Sequence, residues 1–255
     1  MNTYVMGDIH GAHKAMVQCL QRAGFNYRQD TLIQLGDIAD GYDEVYDCVE
    51  ELLKIDNHVA IRGNHDQWFF HFLETGLHPQ SWAQGGEGTL RSYLKALGME
   101  GLIPLYGNTP ASALQPAEIP RSHRAFFAAQ RLFHIDGLNN CYVHAGFDRT
   151  LPINIQPKEI YYWDRHLWLQ ALSWEATNRR RIRKTKFHMD TPFQEVFIGH
   201  TRTLMWDTDQ PMKAANIYNI DTGGGGGGRI TIMNVATHEY WQSDPVNELY
   251  KVSYR

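Results

Sequence analysis

Six side chains able to bind a metal ion stand just past short apolar runs. They are Asp8 and His10 in MGDIHG (6–11), Asp37 in GDIAD (36–40), Asn64 in GNHD (63–66), His144 in VHAG (143–146) and His200 in GHT (199–201). Two carboxylates, one amide and three imidazoles exceed what a single four-coordinate zinc requires. The set suits two divalent ions that share a bridging carboxylate, about 3.5–4 Å apart, which clamp the attacking and leaving oxygens of a displacement. Mixed nitrogen and oxygen donors favour manganese, iron or zinc over magnesium or calcium, which prefer oxygen. Taken singly, each residue has a plainer explanation: an Asp after a strand caps a turn or helix, and a His in an apolar run sits satisfied in a core. The recurrence of one pattern at five places speaks for chemistry.

A parallel sheet brings such residues together, because the carboxyl ends of its strands share one edge and ligands bind in the crevice there. The apolar runs TYVM (3–6), TLIQL (31–35) and HVAIR (58–62) read as strands. Between them, residues 12–23 and 43–55 carry apolar residues at three- and four-residue spacing, the mark of amphipathic helices. Strand, helix, strand, helix, strand implies two right-handed crossovers. Residues 67–135 read as a helical insertion packed over the sheet, rich in aromatics and interrupted by prolines. Strand patterns return at 140–146, 195–201, 217–223 and 229–235. The glycine run at 223–228 suits a flexible hairpin turn, or close approach of backbone to a phosphate.

The chain has 255 residues, 43% of them hydrophobic and 20% charged, with a formal net charge of −4. That is an ordinary globular composition, and the negative balance argues against a stable nucleic-acid partner. The local exception is RRRIRKTK (179–186), either a solvated helix end or a rim attracting polyanions. No run approaches the roughly 18–20 apolar residues of a membrane span, and no signal-peptide pattern is visible. Cys19, Cys48 and Cys141 are scattered and odd in number, which fits buried thiols in a reducing compartment and suggests a cytoplasmic protein.

GDIHG, GDIAD, GNHD, VHAG and GHT resemble the five blocks of the calcineurin-like metallophosphoesterase superfamily. The resemblance is to its branch of serine/threonine phosphoprotein phosphatases and symmetrical diadenosine tetraphosphatases, nearest the small phage and bacterial members. YYWDRHLW (161–168) is similar to a Trp-x-Arg block of that branch, and NIDTGGGGGGRITIMNV (219–235) to its last strand pair. The resemblance implies a four-layer α/β/β/α sandwich of two mixed sheets, one metallophosphoesterase domain over 1–255 with 67–135 inserted in it. It implies that Asp8 and His10 hold a first metal, that Asp37 bridges, and that Asn64, His144 and His200 complete the second. His65 then resembles a general acid, Asp40 its partner one helical turn past Asp37, and Arg165 a phosphate-binding arginine. In two places the chain departs from the branch. The branch continues its second block as Asp-Arg-Gly, whereas Gly41 and Tyr42 follow Asp40 here, so one phosphate-gripping arginine is missing; Arg149 is a candidate replacement. GNHD stands in place of the commoner GNHE.

The implied activity is hydrolysis of phosphate monoesters, phosphoprotein-like, by attack of a metal-bound hydroxide, on a phosphorylated protein, nucleotide or other small molecule and with no membrane partner. Hydrolysis of dinucleoside polyphosphates or nucleotide esters is the alternative, for which Trp68, Phe69, Trp82 and Trp163 offer ring faces, although all four suit a core equally. A non-catalytic binding protein on the same fold is the third reading; it predicts lost ligands, yet all six are present.

Overall fold

The computed structural model describes residues 1–99, 105–106, 109–110, 114–178 and 191–255, so the basic run at 179–186 lies outside the described residues. Among these, the strands of the first half are β1 (Thr3–Met6), β2 (Thr31–Gln34), β3 (Asn57–Ala60), β4 (Leu105–Tyr106) and β5 (Thr109–Pro110). Those of the second half are β6 (Phe133–Ile135), β7 (Cys141–Val143), β8 (Val196–Ile198), β9 (Met212–Ala214), β10 (Ile217–Asn219), β11 (Thr231–Asn234) and β12 (Tyr240–Gln242). The helices are α1 (His13–Arg22), α2 (Val45–Leu52), α3 (Asn64–Thr75), α4 (Gly86–Ala96), α5 (Arg121–Ala129), α6 (Lys158–Trp163), α7 (His166–Asn178) and α8 (Val246–Leu249). None is long and apolar enough to cross a membrane among the described residues.

Two five-stranded mixed sheets result, in the orders β12-β11-β1-β2-β3 and β6-β7-β8-β10-β9. The first has a parallel centre, β1-β2-β3, extended by antiparallel β11 and β12. In the second, β7, β8 and β10 run parallel between antiparallel β6 and β9.

The period-2 geometry of a strand explains the four layers. Tyr4 and Met6 of β1, Leu32 of β2 and Ile232 of β11 face a helical core shared with α1 and α2. Their neighbours Val5, Ile33 and Met233 face the opposite way, into a core between the two sheets. The second sheet does the same: Cys141, Val143, Val196, Ile198 and Ile217 pack against α6 and α7, while Tyr142, Phe197 and Tyr218 meet the first sheet. These three rings stack with centroids 5.1 Å apart at each step. Strands buried on both faces read as continuous apolar runs, which is why they were visible in sequence. The edge strands β6, β9 and β12 were not expected. They are half exposed, and an edge needs little apolar pattern.

The stretch 67–135 departs from a purely helical insertion. It holds the small ladder β4-β5 and ends in β6. Its helices also pack on other helices, α4 on α2 and α3 on α5. Phe69, Trp82, Tyr93 and Phe127 thereby join the same core as α1 and α2.

Candidate metal centre

The carboxyl ends of β1, β2, β3, β7 and β8 deliver all six donors to one place. The chain must turn sharply there, and it does so through left-handed backbone at His10 (φ 51), Asp37 (φ 55), Asp40 (φ 71) and His200 (φ 63). Such conformations cost of order 1–3 kcal/mol each outside glycine and collect at functional sites. They also displace the expectation that Asp40 lies one helical turn beyond Asp37, because residues 36–44 form an irregular loop and not a helix. The need for glycine is plainest at Gly63, where a Cβ would stand 2.0 Å from Asp37 Oδ1.

One oxygen sits at the middle of the cluster. Asp37 Oδ2 lies 3.6 Å from His10 Nε2 and 3.4 Å from His144 Nε2. On the His10 side, Asp8 Oδ2 is 3.9 Å from the same His10 nitrogen, and the Asp8 carboxylate is fixed by the His200 amide N–H at 3.3 and 3.2 Å. On the other side, Asn64 Oδ1 is 3.2 Å from His144 Nε2 and 3.0 Å from His200 Nδ1. Two overlapping groups, His10–Asp37–His65 and Asp37–His144–His200, each place their donor atoms within 4.8 Å of one another, so each could hold a metal ion. Buried His10 Nδ1 and His200 Nε2 have no hydrogen-bond partner. This donor set fits divalent cations. His144 Nδ1 donates to the Leu35 carbonyl at 2.8 Å, which turns Nε2 toward the cluster in the manner of an oriented ligand.

The buried charges interact strongly in the metal-free chain. Burial and the nearby Asp221 charge raise the Asp8 carboxyl well above its usual range. Burial also opposes the charged form of Asp37, but His144 and His65 outweigh it and hold that carboxyl well below normal. For His144, burial works against protonation, yet the Asp37 charge and hydrogen bond and the Asp8 charge raise its pKa to about 10. Burial and the charge on His144 lower His200 to about 3. A ligating imidazole must be neutral, so at pH 7 His144 has to release its proton when an ion binds. Apparent affinity through this residue should therefore rise about tenfold per pH unit from 7 toward 10. Titration calorimetry in buffers of different ionisation enthalpy should register at least one proton released per chain; none released at pH 7 would contradict the assignment.

Asp66, quoted in sequence only as part of GNHD, proves to organise the loop that carries Asp37. It is fully buried. Its carboxylate accepts the amide N–H groups of Asp37 (2.9 Å), Ile38 (2.9 Å), Ala39 (3.0 Å) and Gly63 (3.1 Å), and Gln130 Nε2 (2.9 Å). In Asp66→Asn one oxygen becomes a donor facing donors. Stability should fall by about 2 kcal/mol, the cost of buried groups left unpaired, and a urea midpoint unchanged from wild type would refute this role.

His65 and Asp40 form a second buried pair. His65 Nδ1 donates to Asp40 Oδ2 at 2.8 Å, and Asp40 Oδ1 accepts Trp82 Nε1–H at 2.7 Å and the Thr89 hydroxyl at 2.6 Å. Stretch 67–135 thus supplies the groups that orient Asp40. The His65 ring lies edge-on to His10 (4.9 Å) and Trp68 (4.6 Å). Of the four aromatics, Phe69 and Trp82 are core residues, whereas Trp163 is 46% exposed. It stands edge-on to His200 at 5.6 Å and 5.7 Å from Trp68. Arg165 is exposed at the start of α7, close enough for its charge to help depress His200. Arg149 is turned elsewhere: its Nε donates to Gln170 Oε1 of α7 at 2.9 Å. Buried Asp221 beside Asp8 went unnoticed, although IYNID (217–221) repeats the pattern of an acid past an apolar run. His123 is a core residue held between Tyr93 and Glu50.

Comparison with known proteins agrees with this geometry. The chain is 23% identical over 237 residues to serine/threonine-protein phosphatase 1 of Salmonella typhimurium, covering 92% of both. It is 22% identical over 280 residues to a symmetrical bis(5'-nucleosyl)-tetraphosphatase of Aggregatibacter actinomycetemcomitans, covering 97% of this chain and 98% of that one. Among solved structures, a serine/threonine phosphatase from Saccharomyces cerevisiae shares the fold at TM-score 0.54 and 10% identity, over 96% of this chain and 80% of that one. Residues 1–203 match the family model described as calcineurin-like phosphoesterase. With the two mixed sheets and the clustered donors, this establishes that the chain belongs to the calcineurin-like phosphoesterase family and is a phosphoric ester hydrolase.

Proposed function

We propose that the cluster holds two divalent cations, manganese foremost, and that the protein hydrolyses phosphate monoesters, phosphoprotein substrates included. The observation that carries this reading is the position of Asp37 Oδ2, 3.6 Å from His10 Nε2 and 3.4 Å from His144 Nε2, where one oxygen serves both donor groups. Asp8 and His10 would hold one ion, Asn64, His144 and His200 the other, and Asp37 would serve both. Divalent ions held there would neutralise phosphoryl charge and make water acidic enough to attack at neutral pH. Arg165 offers two parallel N–H donors to phosphate oxygens. His65 carries the proton for the departing oxygen, the task for which enzymes use histidine most often. Asp40, itself fixed by Trp82 and Thr89, holds the ring in orientation. The three buried thiols are in keeping with a reducing cytoplasm.

Chelator-treated protein should lose turnover of p-nitrophenyl phosphate and regain it with manganese; no recovery with any divalent cation would overturn the reading. The exposed Trp163 face beside His200 favours a second reading, in which a nucleobase stacks there and a dinucleoside polyphosphate is cleaved. A kcat/KM for diadenosine tetraphosphate tenfold above that for phosphopeptides and nucleotide monoesters would select it.

A further inference from the structure

A cavity of about 600 Å³ opens beside His10, lined by Tyr42, Arg202, Gly225, Lys251 and Arg255 among others. Three of its lining side chains are cationic and none is acidic. Among the described residues, Arg202, Lys251 and Arg255 form no ion pair with a carboxylate. The buried Asp221 feels the charges of Arg202 and Arg255, but one carboxylate against three cations leaves positive charge for an anion to balance.

The placement of Arg255 is built in. Tyr250 is anchored by the Lys14 amide N–H at 2.8 Å, by donation to Glu44 and by the Tyr42 ring 4.5 Å away. The Tyr254 amide donates to the Gly41 carbonyl at 2.9 Å, and Arg91 covers its ring at 5.0 Å. Arg255 thus reaches across Gly41 to put Nη1 2.6 Å from His10 Nε2. Position 41 has no room for a cation of its own. Its φ is +89, and a Cβ there would meet the His10 carbonyl oxygen at 2.9 Å and His10 Cβ at 3.0 Å. The glycine run completes the wall: a Cβ at Gly225 would stand 2.4 Å from Arg255 Nη1, and one at Gly226 would stand 2.4 Å from Arg202 Nη1. A guanidinium has five donors and no acceptor. The ring nitrogen it meets is the proposed metal donor of His10 and takes no N–H once an ion is bound, so the guanidinium donors are then free for an anion.

We propose that Arg202, Lys251 and Arg255 form an anion subsite beside His10 that binds a second phosphate group of the substrate. The inference rests on the phosphoester reading of the cluster. It gives the glycine run a reason: side chains there would fill the space that the guanidinium groups occupy. It also supplies a cation where the sequence lacks one after Asp40.

The test is calorimetric titration of manganese-loaded protein, with manganese in excess, by methylphosphonate and by methylenediphosphonate, neither of which is hydrolysed. The ratio of their dissociation constants reads the subsite. In Arg255→Gln and in Lys251→Ala the preference for the diphosphonate should fall about tenfold. A fall of less than threefold in both overturns the proposal. Arg28→Ala removes the same charge from an exposed pair with Asp56 and should leave the ratio unchanged; an equal fall there also overturns the proposal, because net charge would then be the cause. Failure of wild-type protein to turn over p-nitrophenyl phosphate would instead strike the functional reading and leave the ratio measurable.

Discussion

Asp37→Asn should lower phosphomonoester turnover by about 10⁴-fold, or ~5 kcal/mol of barrier at 1.36 kcal/mol per decade. The substitution is nearly isosteric. Asn tolerates the left-handed backbone found at this position, and its side-chain oxygen can still accept the His65 amide N–H, now 3.0 Å from Asp37 Oδ1. The variant should therefore fold. It loses the charge that both donor groups share and that keeps His144 oriented and protonated in the metal-free chain. Metal content by mass spectrometry should drop below one ion per chain, because a neutral amide cannot take the proposed bridging role. A variant retaining two ions and wild-type turnover would remove Asp37 from the centre of the mechanism.

His65→Asn should show a loss that depends on the leaving group. An alkoxide leaves poorly without a proton, and general acid catalysis contributes about 10²–10⁴-fold. Turnover of a seryl phosphate should fall about a thousandfold. p-Nitrophenolate leaves without protonation, so p-nitrophenyl phosphate should lose no more than about tenfold. The Asn amide can still reach Asp40, which Trp82 and Thr89 hold from the other side, so the local frame should persist. Equal losses on both substrates would mean that His65 acts as a third ligand. Its place within 4.8 Å of the His10 and Asp37 donors makes that outcome a definite alternative.

Much of this site follows from local sequence because its donors occupy strand ends. A buried strand declares itself as an apolar run, and the next few residues must stand at the sheet edge. That rule located Asp8, His10, Asp37, Asn64, His144 and His200 together. It does not show which groups hold the loops in place. Asp66 is invisible as an organiser until the loop from β2 folds over the start of α3 and turns three successive amides onto one carboxylate. Trp82 and Thr89 are more than forty residues from the Asp40 they orient, and no periodicity links them to it.

The sequence by itself determined the donor set and the alternation that splits strand side chains between helical and inter-sheet cores. Both depend on residue type and on spacing within a few positions. Tertiary structure alone decided that Arg149 pairs with Gln170 while Arg255 arrives beside His10, and that Trp82 is buried while Trp163 faces solvent. Those outcomes depend on how distant segments pack, as when Tyr254 bonds to Gly41, and local pattern carries no information about such meetings.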